Sequence, residues 1–281
     1  MGFIEVKSFA KINIALNVTG KSTLLHKIES IVSFISLYDL VYIKKIKGPN
    51  HQISFYGDFS KNISRDNTVV KLFKILDEKK LLKDQKFHIR IKKNIPQQAG
   101  LGGGSMNAAS ILNFLIKKKI IKISAKKIQN ISSLVGSDVI LGINEGSVIL
   151  KSNNTVKKFS RCPKFHILLV KPNFGCSTKE IYSRIKKTTN SKFRNPSKMM
   201  FNHKYLSHQE NALESVAFLK YPKLKKIKSF LENLKNPLFV RMTGSGSILV
   251  AYYQLKKDCE MAKVQFKRKF NNYWCIVSKT L

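Results

Sequence analysis

The sequence predicts an α+β fold in two domains. Segments of period-two alternation and segments of helical spacing follow one another without the regular series of a parallel strand-helix-strand sheet. The 281 residues give room for two domains of ordinary size or one large one. A polar connector near Lys151 to Pro163 separates two strand-like runs, Gly146 to Lys151 and Phe165 to Val170, and places the division at residues 1–157 and 158–281. Hydrophobic residues at 43% supply the core.

In chain order, residues 3 to 19 alternate as a strand, with Lys11 and Asn13 on one face and Ile12 and Ile14 on the other. A polar face of this kind is either a solvated edge or the wall of a site. Gly20 to His26 reads as a turn, and Ile28 to Tyr42, rich in β-branched and aromatic residues, as a second and third strand. Val69 to Leu76 has helical spacing behind Asp66 or Asn67 as N-cap. Phe87 to Ile91 alternates as a strand, leads through Pro96 into a glycine-rich stretch, and is followed by a helix over Met106 to Lys117. A further helix, Ala125 to Leu134, stops at Gly136 as C-cap. Asp138 then opens a short apolar segment, where carboxylates are buried more often than average and, when buried, are paired or functional. In the second half, Lys186 to Asn202 reads as a charged loop, and helices are expected from Asn211 to Phe218, Leu224 to Leu234 and Lys256 to Phe270. Strands flank a second glycine-rich turn at Met242 to Ser247, and Trp274 to Val277 closes the chain.

The stretch Ile95 to Ala109 carries Gly100, Gly102, Gly103 and Gly104 directly before Ser105 and the helix. Glycines admit positive φ and bring a ligand to bare backbone. The first amides of a helix lack internal partners and carry the positive end of its dipole, so the combination is an anion cradle, most often for phosphate. A purely structural turn is poorly motivated, because consecutive glycines cost roughly 1 kcal/mol each relative to Ala in regular structure. The spacing is neither a Walker A loop nor a dinucleotide fingerprint.

The formal charge of +36, from 52 Lys+Arg against 16 Asp+Glu, by itself suggests nucleic acid, an anionic membrane or a polyanionic substrate as partner. Lysines run along the whole chain among many Ile and Asn, however, without a basic tail. A compositional bias of the encoding genome produces that pattern on any fold, so nucleic acid is not expected. A basic surface still draws phosphorylated ligands. Cys162, Cys176, Cys259 and Cys275 lack paired spacing and read as reduced thiols, which with the absence of a secretory core or bilayer-length apolar run points to a cytoplasmic protein. The histidines have no metal-ligand spacing. His26, taken alone, is a histidine in a turn, more often solvated than functional.

Three segments, in order, resemble the motifs of the GHMP kinases: Ala10-Lys11-Ile12-Asn13, Gly100-Leu101-Gly102-Gly103-Gly104-Ser105-Met106-Asn107-Ala108-Ala109, and Met242-Thr243-Gly244-Ser245-Gly246-Ser247. The resemblance runs over nearly the whole chain. It implies an amino-terminal domain like domain 2 of ribosomal protein S5, a ferredoxin-like carboxy-terminal domain, and a site in the cleft between them. It further implies ATP, with Mg2+, as phosphoryl donor. The phosphates would lie on Gly100, Leu101, Gly102, Gly103, Gly104 and Ser105, with Pro96 leading into the loop. Asn67, Thr68 and Lys93 would flank the adenine, Asn107 would stand beside the phosphates, and Ser105 would stand at the magnesium.

The acceptor it implies is a tertiary hydroxyl of a cytidine-diphosphate-linked methylerythritol, in the non-mevalonate route to isoprenoids. A carboxylate must take the hydroxyl proton, and the resemblance gives that role to Asp138, with Lys11 close by to hold it ionised and to counter charge on the transferring group. Asn13 would orient the hydroxyl, and His26, Tyr182 and Thr178 would meet the cytidine end. Departures from the family pattern are Phe9 for proline, Leu25 for the tyrosine facing the cytosine, Met106 for serine, Ile140 for proline and Ala212 for aspartate. The competing readings are a GHMP kinase for a mevalonate- or homoserine-type acceptor and a nucleic-acid-binding module.

Overall fold

The computed structural model describes residues 2–21 and 26–281; Leu25 lies outside them. The chain divides into two compact units. The first comprises Met1–Ala10, Leu37–Pro96 and Gly102–Glu145, and the second Lys11–Ser36, Gln97–Leu101 and Gly146–Leu281. Two long strands, β1 (Ile4–Lys21) and β2 (His26–Ile46), pair with each other and run through both units. Residues 28 to 42, expected as two strands, thus form part of one. No Gly, Pro or Asn interrupts the run, so nothing turns the chain.

In the first unit, β4 (Lys86–Lys92) pairs antiparallel with the second half of β2, Ile43 opposite Ile89, and β3 (Gln52–Tyr56) lies parallel to β4. Helices α1 (Thr68–Glu78), α2 (Gly103–Lys117), α3 (Ala125–Val135) and the short α4 (Val139–Ile143) complete it. α1 buries Val69, Leu72, Phe73 and Leu76, at positions i, i+3, i+4 and i+7, in the same core as Ile111, Leu112 and Leu115 of α2. Full burial of such side chains is worth roughly 1.5–3 kcal/mol each. Asn67 is the N-cap of α1, accepting from the amides of Val69 and Val70. Gly136 ends α3 with φ 173, an extended rather than left-handed residue.

The second unit contains a four-stranded antiparallel sheet built from β7 (His166–Lys171), β8 (Phe239–Met242), β9 (Leu249–Tyr253) and β10 (Trp274–Lys279), in the order β10-β7-β9-β8. Between β7 and β8 come α5 (Thr178–Ser183), a 3-10 turn (Lys198–Phe201), α6 (His203–Ser207), α7 (Glu214–Lys220) and α8 (Pro222–Glu232). α9 (Lys256–Lys269) links β9 to β10. This strand order and helix placement is the ferredoxin-like arrangement. α8 contributes Leu224, Ile227 and Leu231 to its core, and α9 Cys259, Ala262 and Phe266. Both triplets step by three and four residues, as a helix face must. The first half of β2 pairs with β5 (Ser147–Leu150), which pairs with β6 (Val156–Phe159). β6 sits in the stretch expected as a polar connector. Lys157 and Lys158 are exposed on a strand at the sheet's end, where charge blocks further pairing.

Among the described residues no helix is long and apolar enough to cross a membrane. The four cysteines are free thiols. Burial pushes Cys259 and Cys275 up to about 12, so they are protonated and inert at neutral pH.

His51 is a half-buried titratable group of the first unit. Its ring packs against both Phe73 and Phe87, with centroids 4.4 and 6.0 Å away, its Nδ1 accepts from the amide of Phe87 at 3.0 Å, and its Nε2 is 3.2 Å from Oδ2 of Asp77, which also receives Lys86 Nζ at 2.8 Å. An amide can only donate, so the ring is neutral with its proton on Nε2. Burial lowers its pKa below the ordinary 6.5, against the pull of Asp77. The unfolded chain therefore takes up this proton at a higher pH than the folded one. Its contribution is complete above about pH 6.5 and is lost as pH falls below it. Urea midpoints at pH 7.5 and 5.5 test this: the fall between them is expected to be smaller in His51→Gln than in the parent, and an identical fall would contradict it.

Candidate active site

β1 carries Lys11 and Asn13 on one face within the second unit, and each is only 3% exposed, which rules out a solvated edge. Lys11 Nζ donates to Asn13 Oδ1 at 2.5 Å and to the carbonyl oxygen of Gly100 at 3.2 Å, while its main-chain amide donates to Leu101 O at 3.1 Å. The start of the glycine-rich stretch is tied to β1 by these bonds. Thr243, from the turn after β8, closes the knot: its hydroxyl accepts from the Asn13 amide at 2.9 Å and donates to Gly100 O at 3.2 Å. Gly100 has φ +77, and a Cβ there would stand 2.0 Å from the Thr243 carbonyl oxygen, so only glycine fits. The turn is held in its own right by Asn211, whose Nδ2 donates to Met242 O at 2.8 Å and Gly244 O at 2.7 Å.

Two further expected pairs occur in this unit. The hydroxyls of Thr178 and Ser245 are 2.9 Å apart, and the rings of His26 and Tyr182 have centroids 5.2 Å apart at 37°. His26 opens β2 rather than standing in a solvated turn.

In the first unit, α2 begins directly behind Gly102, its N-cap, which has the left-handed φ of +69 and no side chain to occupy the helix end. Met106 donates the first bond of α2, to Gly102 O at 2.9 Å, so the amides of Gly103, Gly104 and Ser105 precede it. The position of a Cβ on Gly104 is 3.1 Å from Thr68 Oγ1, and that of a Cβ on Gly103 is 3.4 Å from Lys93 Nζ. A bare main chain at the positive end of a 15-residue helix fits a polyphosphate, because side chains there would fill the cradle.

Behind the loop lies a buried polar cluster. Asp39 of β2, 0% exposed, accepts from the amides of Asn94 and Ile95 at 2.7 and 2.9 Å, from Asn107 Nδ2 at 3.0 Å, and from Lys93 Nζ. Lys93 Nζ also donates to Asn107 Oδ1 at 2.9 Å, and Asn107 Nδ2 to Ser8 Oγ at 3.0 Å. Burial lowers the Lys93 pKa, and the Asp39 carboxylate opposes that shift. Lys93 and Asn107 therefore brace the loop helix from beneath. Pro96 is buried where the chain leaves the cluster toward the loop. Asp138 directly precedes α4 and is half-buried, more exposed than its apolar neighbours imply. Ser105 Oγ is 3.7 Å from the position of a Cβ on Gly136, two residues before it.

Thr243, inside a family motif, and Asn211, at an expected helix start, had no expected part in the site, and neither had Asp39 or Ser30. Asp39 carried the same signal as Asp138, a lone acid in an apolar run, Leu-Tyr-Asp-Leu-Val. No group of three or more His, Cys, Asp or Glu side chains among the described residues forms a metal cage.

Comparison with known proteins gives this geometry a family. Residues 67–149 match the family model of the GHMP kinases N terminal domain, and residues 185–272 that of the GHMP kinases C terminal. The chain is 57% identical to the 4-diphosphocytidyl-2-C-methyl-D-erythritol kinase of Pelagibacter ubique over 281 residues, all of both chains. It is 33% identical to the enzyme of that name from Petrotoga mobilis, covering 88% of this chain and 97% of that one. A crystal structure of 4-(cytidine 5'-diphospho)-2C-methyl-D-erythritol kinase shares the fold with a TM-score of 0.77 at 20% identity, covering 99% of this chain and 100% of that one. The homoserine kinase of Cytophaga hutchinsonii follows at 0.73 and 14%, covering 100% of this chain and 95% of that one. The chain belongs to the GHMP kinase family, in the branch of the 4-diphosphocytidyl-2-C-methyl-D-erythritol kinases.

Proposed function

We propose that this chain transfers the γ-phosphoryl group of ATP to the 2-hydroxyl of 4-diphosphocytidyl-2-C-methyl-D-erythritol. The observation that carries this reading is the 57% identity, end to end, with the Pelagibacter ubique protein of that name. The glycine-lined start of α2 supports the donor half of the reaction, since phosphoryl transfer asks the protein chiefly for positioning and charge neutralisation. A division at residues 157 and 158 fits the gap between the two family matches, 67–149 and 185–272, although the compact units also group residues 11–36 and 97–101 with the carboxy-terminal part.

Each side chain then has a task. The amides of Gly102 to Ser105 hold phosphate oxygens, with Gly100 and Leu101 fixing the loop's entry. Asn67 and Thr68 border the adenine, and Lys93 and Asn107 keep the loop helix in place. The Ser105 hydroxyl would hold Mg2+ entering with ATP, and the ion would supply neutralisation of phosphate charge. Asp138 takes the proton of the acceptor hydroxyl, a contribution of roughly 10²–10⁴ in rate. Lys11, fixed by Asn13 and Gly100, offsets negative charge on the transferring group. Asn13 orients the acceptor beside it. His26 and Tyr182 present a ring pair suited to a pyrimidine, and the Thr178 hydroxyl, 2.9 Å from that of Ser245, is given to the same end of the substrate. A cytoplasmic location suits an enzyme that draws on ATP.

Incubation of the purified chain with ATP, Mg2+ and each of three acceptors tests the assignment. Phosphorylation of the cytidylated methylerythritol alone is expected, whereas phosphorylation of mevalonate or homoserine and none of the cytidylated acceptor would overturn it. Asp138→Asn is expected to lower kcat at least about a hundredfold with KM for ATP within about twofold, and retained turnover would move the base elsewhere. Lys11→Ala should likewise lower kcat, measured under saturating ATP.

A further inference from the structure

Ser30, on β2, is 0% exposed and has no part in the roles assigned above. Its Oγ lies 2.6 Å from the carbonyl oxygen of Ala15 and 2.8 Å from Nδ2 of Asn13. At the other end of the same amide, Asn13 Oδ1 receives Lys11 Nζ at 2.5 Å, and that ammonium also reaches Gly100 O at 3.2 Å.

Chemistry fixes the direction of every bond in this chain. An ammonium has protons and no lone pair, so the amide atom facing Lys11 is the oxygen. The amide nitrogen is then turned to Ser30 and donates to it. A carbonyl can only accept, so the serine's own proton goes to Ala15 O. Reversal of the Asn13 amide would set NH2 against the ammonium and would leave its oxygen facing a hydroxyl whose proton is already committed. Ser30, Asn13 and Lys11 are 0%, 3% and 3% exposed, so bulk water is a poor substitute for any of these partners.

We propose that Ser30 is a positioning residue for phosphoryl transfer, acting through the Asn13 amide to hold the Lys11 ammonium at the Gly100 carbonyl. The proposal rests on the kinase reading of Lys11. Without the hydroxyl, Asn13 Nδ2 loses its acceptor and Ala15 O loses this donor. The amide, whose terminal torsion is intrinsically broad, is then no longer locked with its oxygen toward Lys11.

The test measures kcat and KM for Ser30→Ala and Ser30→Thr, and for Ser30→Ala in an Asn13→Ala background. Ser30→Ala is expected to lower kcat about tenfold, from loss of one buried hydrogen bond, with KM for ATP within about twofold. Ser30→Thr, which keeps the hydroxyl on a strand-compatible side chain, is expected to restore turnover. In the Asn13→Ala background Ser30→Ala is expected to change kcat no further. An unchanged kcat in Ser30→Ala, or an equal loss in both backgrounds, overturns the proposal. Full turnover in Lys11→Ala would refute instead the reading of Lys11, and this proposal with it. A second measurement does not depend on turnover: exchange of the Asn13 side-chain amide protons by NMR. Exchange is expected to quicken at least about tenfold in Ser30→Ala while the protein stays folded. Unaltered exchange would show that Ser30 does not hold the amide.

Discussion

At Gly100 the main chain is pressed against the Thr243 carbonyl so closely that a Cβ would stand 2.0 Å from it. The Gly100 carbonyl oxygen in turn receives both Lys11 Nζ and the Thr243 hydroxyl, each at 3.2 Å. Residues from β1, from the glycine-rich stretch and from the turn after β8 are thereby fixed to one main-chain oxygen. The left-handed φ and the absent side chain make this possible, and any other residue would force these elements of the second unit apart. In the catalytic role we propose for it, the Lys11 ammonium gains from such confinement, because fixed partners in a water-poor setting cost no reorganisation when charge develops.

The first unit solves the complementary problem. A helix end without side chains attracts anions, but only a helix held still can bind them in a defined register. Asp39 supplies that rigidity, with its carboxylate binding two amides at the end of β4 and the side chains of Lys93 and Asn107. Burying a carboxylate beside an ammonium is expensive in desolvation and is tolerated when the surrounding donors satisfy it. Asn107 stands one turn into α2, so the cluster anchors the helix next to the amides that face outward. The broad hydrophobic core of α1, α2 and β4 holds the scaffold, and this small polar cluster sets the loop's position on it.

The sequence carried much of this in local signals. An N-cap at Asp66 or Asn67, a helix through Met106 to Lys117 and the two faces of β1 follow from spacing and stereochemistry alone, whereas α2 starts three residues earlier and takes in Gly103 and Gly104. The ferredoxin-like order of the last four strands followed from family resemblance rather than from periodicity, since strand pairing is not a local property. Tertiary partners were the illegible part. Nothing within five residues of Ser30 indicates that its hydroxyl meets Asn13, and the donors that meet Asp39 come from residues 93, 94, 95 and 107, far along the chain. The exposed lysines of β6 hid a strand as a connector. The unbroken β-branched run after His26 was divided where the structure has no turn.

The kinase reading requires the bare amides at the start of α2 to receive the phosphates of ATP. A crystal structure with a non-hydrolysable ATP analogue and a cytidine nucleotide shows whether they do. Phosphate oxygens are expected at hydrogen-bonding distance, about 3 Å, from the amides of Gly102 to Ser105. An analogue whose phosphates lie elsewhere, with those amides untouched, would contradict it.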